Sequence, residues 1–307
     1  MVALKILVTG ASGLVGHKVV EVALKKGHEV YSFYREHAVK MGVPIMIDIT
    51  DGEKLLKTVS QIKPHAIIHT AAYTDVDGCE ANRDLAWRVN ADATKKIAIA
   101  STENGSHMVY VSTDYVFDGE KGLYLEEDQP NPVNYYGFTK LKGEEFVKEH
   151  AVEWCIARTS VIYGWSLTGK LNFATWLINN LRQGKEIRAL IDQYVSPTLN
   201  TNLAQMLLEI AERNITGVLH TAGATRVSRY EYATKLAEAL NLRKELIKPA
   251  TMSDIPWKAK RPRDSSLNVS KALNMLNAKP LSLDQALREM KKTMGIDGEA
   301  CSILKLR

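Results

Sequence analysis

The stretch VTGASGLVGHKVV, Val8 to Val20, constrains the fold more than any other part of this chain. An apolar, β-rich run, ALKILVT, leads straight into Gly10, Gly13 and Gly16, and a helical pattern follows. Glycine immediately after a strand permits a tight turn with dihedrals that other residues avoid. The next glycine lets backbone approach a pyrophosphate, and the last lets the new helix pack on the sheet. That helix aims its first N–H groups and its positive dipole end at the anion. The strand before and the helix after make the spacing informative. The expectation is a dinucleotide cradle formed by Gly10, Ser12, Gly13, Leu14, Val15 and Gly16.

The chain continues the same rhythm. Apolar runs recur at HEVYSFY, VPIMID, HAIIHTA, HMVYVST and WCIART, separated by helical stretches at 14–26, 52–62, 84–104 and 135–150. Strands alternating with helices imply crossover units and a parallel sheet. Strands that are continuous apolar runs imply helices on both faces. The reading is an α/β fold with a doubly wound parallel sheet of the Rossmann type. From about Gly164 helical segments dominate, at 173–183, 202–213, 229–241, 270–276 and 283–294. Residues 1–163 are therefore read as the dinucleotide-binding domain and 164–307 mainly as a smaller substrate lobe. The strand-like run at 217–223 is expected to return to the sheet. A chain of 307 residues has room for two such units.

The net charge of +5 is too mild to argue for a nucleic-acid partner. No run of about 18 apolar residues exists to span a membrane. Cys79, Cys155 and Cys301 are widely spaced and form neither a CxxC pair nor a metal pattern, which fits a reduced, cytoplasmic setting. His65 and His69 fall on a strand and would not share a helix face, so no metal is expected there. One basic cluster, KAKRPR at 258–263, reads either as a solvated loop or as a clamp for an anion.

The second strand ends in Tyr34 and Arg35, where chains that bind NAD carry an acid for the ribose hydroxyls. A guanidinium can instead pair with a 2′-phosphate through two hydrogen bonds. The expected cofactor is NADPH, with NADH left open by Glu36. Asp48, followed by Ile49 at the mouth of the third strand, can accept from an adenine amino group. Ala71 and Ala72, with Tyr73 after them, leave space at the fourth strand for cofactor ribose.

The fifth strand ends in Ser112-Thr113-Asp114, so Thr113 should face the cofactor mouth, since ligands in such sheets sit at the carboxyl ends of strands. The segment NYYGFTK opens the next helix and places Tyr136 and Lys140 one turn apart. Alone, that pair is an ordinary helix-surface contact. Taken with the motifs TGASGLVG, HTAAYTDVDGCE, VSTDYVFDG, NYYGFTKLKGE, RTSVIYG, DQYVSPT and RPRDSSLNVSK, across roughly residues 4–290, the chain resembles the extended short-chain dehydrogenase/reductases. More narrowly it resembles the dTDP-4-dehydrorhamnose reductase family. The resemblance implies reduction of a ketone on a nucleotide-diphosphate sugar, with Thr113, Tyr136 and Lys140 as catalytic residues. Tyr136 would donate the proton, Thr113 would hold the carbonyl oxygen, and Lys140 would hold the nicotinamide ribose. A free phenol, with pKa near 10, is poorly matched to neutral pH, and the Lys140 ammonium, with the positive nicotinamide ring after transfer, is expected to favour phenolate.

Asp114, Tyr115 and Arg263 are expected to meet the substrate, Arg263 through its diphosphate. Asn90 matches a family asparagine near the active site, and equally reads as a helix-interior residue bonding backbone. Two positions depart from the family pattern: Val161 stands where rhamnose-forming relatives carry Trp, and Val195 where they carry Gly. The chain also resembles the regulatory beta subunit of methionine adenosyltransferase at RPRDSSLNVSK and in its Tyr-Lys pair. That resemblance implies a protein partner held by the tail at 297–307. The family tendency implies a homodimer.

Overall fold

The computed structural model describes residues 2–294. Seven parallel strands form one sheet. The first six are β1 (Lys5–Thr9), β2 (Glu29–Tyr34), β3 (Val43–Met46), β4 (Ala66–His69), β5 (His107–Thr113) and β6 (Trp154–Thr159). The seventh, Gly217–His220, arrives from beyond a long excursion and pairs with β6. From one edge to the other the order is seventh strand, β6, β5, β4, β1, β2, β3. The order therefore reverses between β1 and β4, and a crevice opens above the carboxyl ends of those two strands.

Eleven α-helices are described. Those interleaved with β1 to β6 are α1 (Gly16–Lys25), α2 (Gly52–Ile62), α3 (Val76–Ala81), α4 (Arg83–Trp87), α5 (Ala93–Glu103) and α6 (Tyr135–His150). Then come α7 (Phe173–Arg182), α8 (Asn200–Glu212), α9 (Arg229–Ala239), α10 (Ser270–Met275) and α11 (Leu283–Lys292). One face of the sheet buries α1 and α8, through residues such as Val19, Leu203 and Leu207. The opposite face buries Leu55 and Val59 of α2, Ile97 of α5 and Val147 of α6. With helices on both sides, β4 and β5 are buried at every residue, which is why they read as unbroken apolar runs.

The second lobe has its own core, built by α7, α9 and α11 around Leu177, Tyr232 and Leu287. Two short pairings brace it: Ile187–Leu190 with Ile247–Ala250, and Tyr194–Val195 with Val227–Ser228. Its chain is interleaved with the large domain. Not only the strand Gly217–His220 but also α8 and α10 pack with the first core. The sequence beyond residue 163 is therefore shared between the two lobes.

Between α4 and α5 the helix widens into a π-type turn, Arg88–Asp92. It carries Asn90, whose side chain is fully engaged. Its Oδ1 accepts from Tyr73 N at 2.8 Å, and its Nδ2 donates to Tyr73 O at 3.0 Å and to Thr139 Oγ1 at 3.1 Å. Of the two readings of Asn90, bonding to backbone is the one its contacts fit. It fixes the segment after β4 against α6. Among the described residues no helix is long and apolar enough to cross a membrane, and no cluster of three metal-ligating side chains occurs. Cys301 and the tail expected to hold a partner lie outside the described residues.

Helix α6 lies flush on β5 because Gly143 has no side chain. A Cβ there would collide with the Tyr110 hydroxyl and sit 2.8 Å from the Asn90 carbonyl oxygen. Gly143→Ala should therefore cost about 1–3 kcal/mol by overpacking. The thermal midpoint should fall on the order of 5 °C, and an unchanged melting curve would contradict this account of the α6–β5 contact.

Candidate active site

A cavity of about 810 Å³ occupies the crevice and runs from the glycine turn to the second lobe. At its floor Gly10 has φ +67, and an added Cβ would stand 2.9 Å from the Ala71 Cα. Gly10, Ser12, Gly13, Leu14 and Val15 line the cavity. Gly16 does not. It is buried beneath the turn, where a Cβ would strike the Gly10 carbonyl, so its role is packing. Helix α1 starts on Val15 with no side-chain cap and no acid in its first turn, which leaves its end open to an anion. The cradle a Cβ would fill and the uncapped helix fit a dinucleotide pyrophosphate.

Tyr34, Arg35, Asp48, Ile49, Ala71, Ala72 and Tyr73 line the same end. Arg35 Nη2 pairs with Glu36 at 2.6 Å, and both side chains are more than half exposed, so a competing phosphate could draw the guanidinium away. Asp48 Oδ1 accepts from Thr50 N at 2.9 Å and Thr50 Oγ1 at 2.7 Å. Burial pushes its carboxyl up, but those bonds and the cations Arg35 and Arg88 outweigh it and hold it below the usual range.

Thr113, Tyr136 and Lys140 converge at the middle of the cavity. The order begins with Asn134, which caps α6 by accepting from Gly137 N at 2.8 Å. Gly137 is needed next, since a Cβ there would strike the Tyr115 carbonyl. The first turn of α6 thus seats directly on the end of β5, and the Tyr136 ring stands edge-on to Tyr115, centroids 6.0 Å apart. Lys140 is 2% exposed; its Nζ donates to Val111 O at 2.8 Å and lies 4.1 Å from the Tyr110 ring centroid.

In the folded chain burial dominates the proton affinity of the Tyr136 phenol. Burial raises that phenol above its ordinary value, and the Thr113 hydroxyl beside it only partly opposes the shift. Burial also lowers Lys140 to about 7, against an upward pull from Glu144.

Asp114 lies on the cavity, but its carboxylate already accepts from Ser160 Oγ at 2.7 Å, Ser265 Oγ at 2.5 Å and Thr113 Oγ1 at 3.1 Å. It joins the ends of β5 and β6 to the returning segment, which is a tie between lobes more than an open contact for a ligand. Tyr115 is buried and lines the cavity.

Arg263, which the resemblance gives to the diphosphate, is exposed and is not among the cavity-lining residues. Its neighbours hold the loop down: Arg261 pairs with both Asp77 oxygens at 3.0 and 3.1 Å, Ala259 N donates to Asp77 Oδ1 at 2.8 Å, and Lys260 O accepts from Asn134 Nδ2 at 2.9 Å. The arginine at this end of the cavity is Arg229, in the first turn of α9. Its Nε donates to Gln193 Oε1 at 3.2 Å and its guanidinium lies 5.2 Å from the Phe173 ring centroid. Lys170 also lines this end. No local spacing marks Arg229 or Lys170, because the second lobe delivers both through long-range packing.

Val161 forms part of the wall with φ +28, a left-handed conformation that a β-branched residue rarely adopts. Val195 does not reach the cavity. It is fully buried in the short pairing with Val227.

A model of the RmlD substrate binding domain matches residues 4–296. A probable low-salt glycan biosynthesis reductase, Agl14, of Haloferax volcanii is 33% identical over 288 residues, 92% of this chain and 96% of its own length. Methionine adenosyltransferase 2 subunit beta of Bos taurus is 31% identical over 275 residues, 87% of this chain and 81% of its own. The crystal structure of dTDP-4-dehydrorhamnose reductase from Bacillus anthracis, in complex with NADP, superposes with a TM-score of 0.86 at 31% identity, covering 95% of this chain and 99% of that one.

Lys140 carries a consequence for stability. Between about 7 and its ordinary 10.5, the unfolded chain binds a proton at this lysine that the folded chain does not. Stability therefore climbs as pH rises through that window, and the full burden stands below it. Lys140→Met should raise the thermal midpoint most below about pH 7, with the gain shrinking toward pH 10. Melting both chains across that range tests it, and a gain that does not vary with pH would refute it.

Proposed function

The chain belongs to the family of the RmlD substrate binding domain, and from that premise we propose that it is an NADPH-dependent reductase of a nucleotide-diphosphate sugar. The substrate we assign is dTDP-4-dehydro-L-rhamnose, reduced at its C4 ketone to dTDP-L-rhamnose. The observation that carries the reading is the convergence of Thr113, Tyr136 and Lys140 in one cavity with an open glycine cradle.

NADPH supplies the hydride when bound. The chain has to supply a proton and a place for the oxygen. Tyr136 holds a proton firmly in its buried setting, as a donor should before reaction. Thr113 stands beside it to orient the ketone oxygen by donating its hydroxyl, which means turning that hydroxyl away from Asp114. Lys140, anchored on Val111 O, would bring an ammonium to the phenol and to a cofactor ribose. When the phenol gives up its proton, that positive charge favours the phenolate left behind. Arg229 and Lys170 give the far end of the cavity the charge a diphosphate would meet. Arg35 would meet a 2′-phosphate, and Gly10, Gly13 and the start of α1 the pyrophosphate.

The likeness to methionine adenosyltransferase 2 subunit beta supports a second reading, a regulatory subunit that binds the dinucleotide and a partner protein. The two separate cleanly in experiment. With dTDP-4-dehydro-L-rhamnose, Tyr136→Phe should lower kcat by about 10²–10⁴-fold while the Kd for NADPH stays unchanged. Full turnover in that variant would sink the proposed proton donor. No turnover in the unaltered chain, with tight NADPH binding, would favour the regulatory reading. Arg35→Ala should raise KM for NADPH about tenfold or more, the loss of a charge-assisted pair, and leave KM for NADH alone. Equal effects on both cofactors would remove the assignment of Arg35 to the 2′-phosphate.

A further inference from the structure

Behind the Tyr136–Lys140 pair, one turn further along α6, stands Glu144. It is completely buried. Its Oε1 accepts from Ser112 Oγ at 2.6 Å and Arg158 Nε at 2.9 Å, and its Oε2 accepts from Arg158 Nη2 at 2.7 Å. Arg158, on β6, is itself 1% exposed. A two-pronged ion pair inside a protein gains little over an apolar pair of similar volume, because both charges are stripped of water. Stability alone is thus a weak reason for this pair. Its placement suggests another.

Residues four apart on a helix share a face, so Tyr136, Lys140 and Glu144 form one row. Three consecutive residues of β5 meet that row. Val111 O takes the Lys140 ammonium, Ser112 Oγ reaches Glu144, and the Thr113 hydroxyl faces the Tyr136 phenol. The groups around Lys140 are few. From α6 Glu144 acts on it, from β5 the Tyr110 ring lies against it, and from β4 His69 feels its charge. His69 is neutral: its ring nitrogens are taken by Thr9 Oγ1 at 2.6 Å and Thr94 Oγ1 at 3.1 Å, and burial lowers it to about 3. Tyr110 is held well above its ordinary value by burial and is neutral too. Of these neighbours Glu144 alone carries charge, and it alone opposes the effect of burial on Lys140.

Resting on the reductase reading above, we infer that Glu144 is a positioning residue of the reduction: its buried carboxylate favours the ammonium form of Lys140 against burial and, through Ser112 and Arg158, sets the register of α6 on β5 at the reacting end. Arg158 tempers that field. The two members of the pair act on Lys140 with opposite sign.

The opposite signs give the test. In protein labelled with isotopic lysine, the Lys140 side-chain resonance is assigned by its loss in Lys140→Met, and its titration midpoint is read by NMR without substrate. Glu144→Gln should lower the midpoint by about one unit, a tenfold loss of ammonium at a given pH. Arg158→Met should raise it. Either variant leaves a lone buried charge and can fail to fold, so the double variant Glu144→Gln/Arg158→Met, which removes both charges, carries the test as well. Its midpoint should lie below that of the unaltered chain, by less than in Glu144→Gln. The basic limb of the kcat–pH profile should move in the same direction as each midpoint. An unmoved midpoint in the double variant, or shifts of the same sign in the two single variants, would overturn the inference. Because the lysine titration needs no turnover, a chain that fails to reduce the keto sugar would sink the reductase reading and leave the assignment of Glu144 to stand or fall by itself.

Discussion

Three neighbouring residues at the end of β5 hold one face of α6, and the site depends on that contact. Val111 offers a backbone carbonyl, Ser112 a hydroxyl, and Thr113 a hydroxyl that faces the reacting end. Two glycines on α6 make the approach close enough: Gly137 under Tyr115 and Gly143 under Tyr110. A helix that stood farther off would still be a helix, and the sheet would still close. Its tyrosine and lysine would no longer meet the strand end, and their burial would be lost along with the unusual proton affinities it produces.

The crevice at the other end rests on a similar economy of side chains. Gly10 lets the first turn pass against Ala71, while Thr9 ties the end of β1 to β4 through His69 Nδ1 and the Ala71 amide. Asn90 then copies a strand neighbour, bonding both the N–H and the C=O of Tyr73. The backbone that walls the crevice is thereby fixed before any ligand arrives, which is what pre-organisation for binding requires. The segment returning from the second lobe is tied on by the Ser265 hydroxyl, which joins those of Thr113 and Ser160 at the single Asp114 carboxylate, and by the Asp77–Arg261 pair.

Much of this was legible because it is local. The glycine turn, the apolar runs of β1 to β6 and the Tyr136–Lys140 spacing each lie within a few residues, and each maps onto an element almost residue for residue. Helix α6 begins at Tyr135 and ends at His150, as its pattern indicates. Long-range placement was not legible. Arg263 sits in a conspicuous basic run and does not line the cavity, whereas Arg229, in a plain capping sequence, is carried to it by the pairing of Val227 with Val195. The part burial plays in the two proton affinities was not legible for the same reason. A spacing of four residues reveals that a lysine lies near a tyrosine, and says nothing about how little water either keeps. The return of α8 and α10 to the large domain likewise depends on tertiary packing, since their amphipathic patterns fit either core.

Val161 holds a left-handed backbone at the wall of the cavity, and conformations of that kind cost a β-branched residue about 1–3 kcal/mol. The neighbouring chain enforces it: Ile162–Tyr163 is paired with Thr198–Leu199, and Thr198 N donates to the Val161 carbonyl. The main-chain path at this point is therefore dictated from outside and is indifferent to the side chain it carries. Glycine or asparagine would sit there with less strain, and a large aromatic with about as much. The wall can be rebuilt at this one position without disturbing the scaffold, so descendants of a common fold could change the shape they accept by exchanging a single residue while the reacting groups stay where they are.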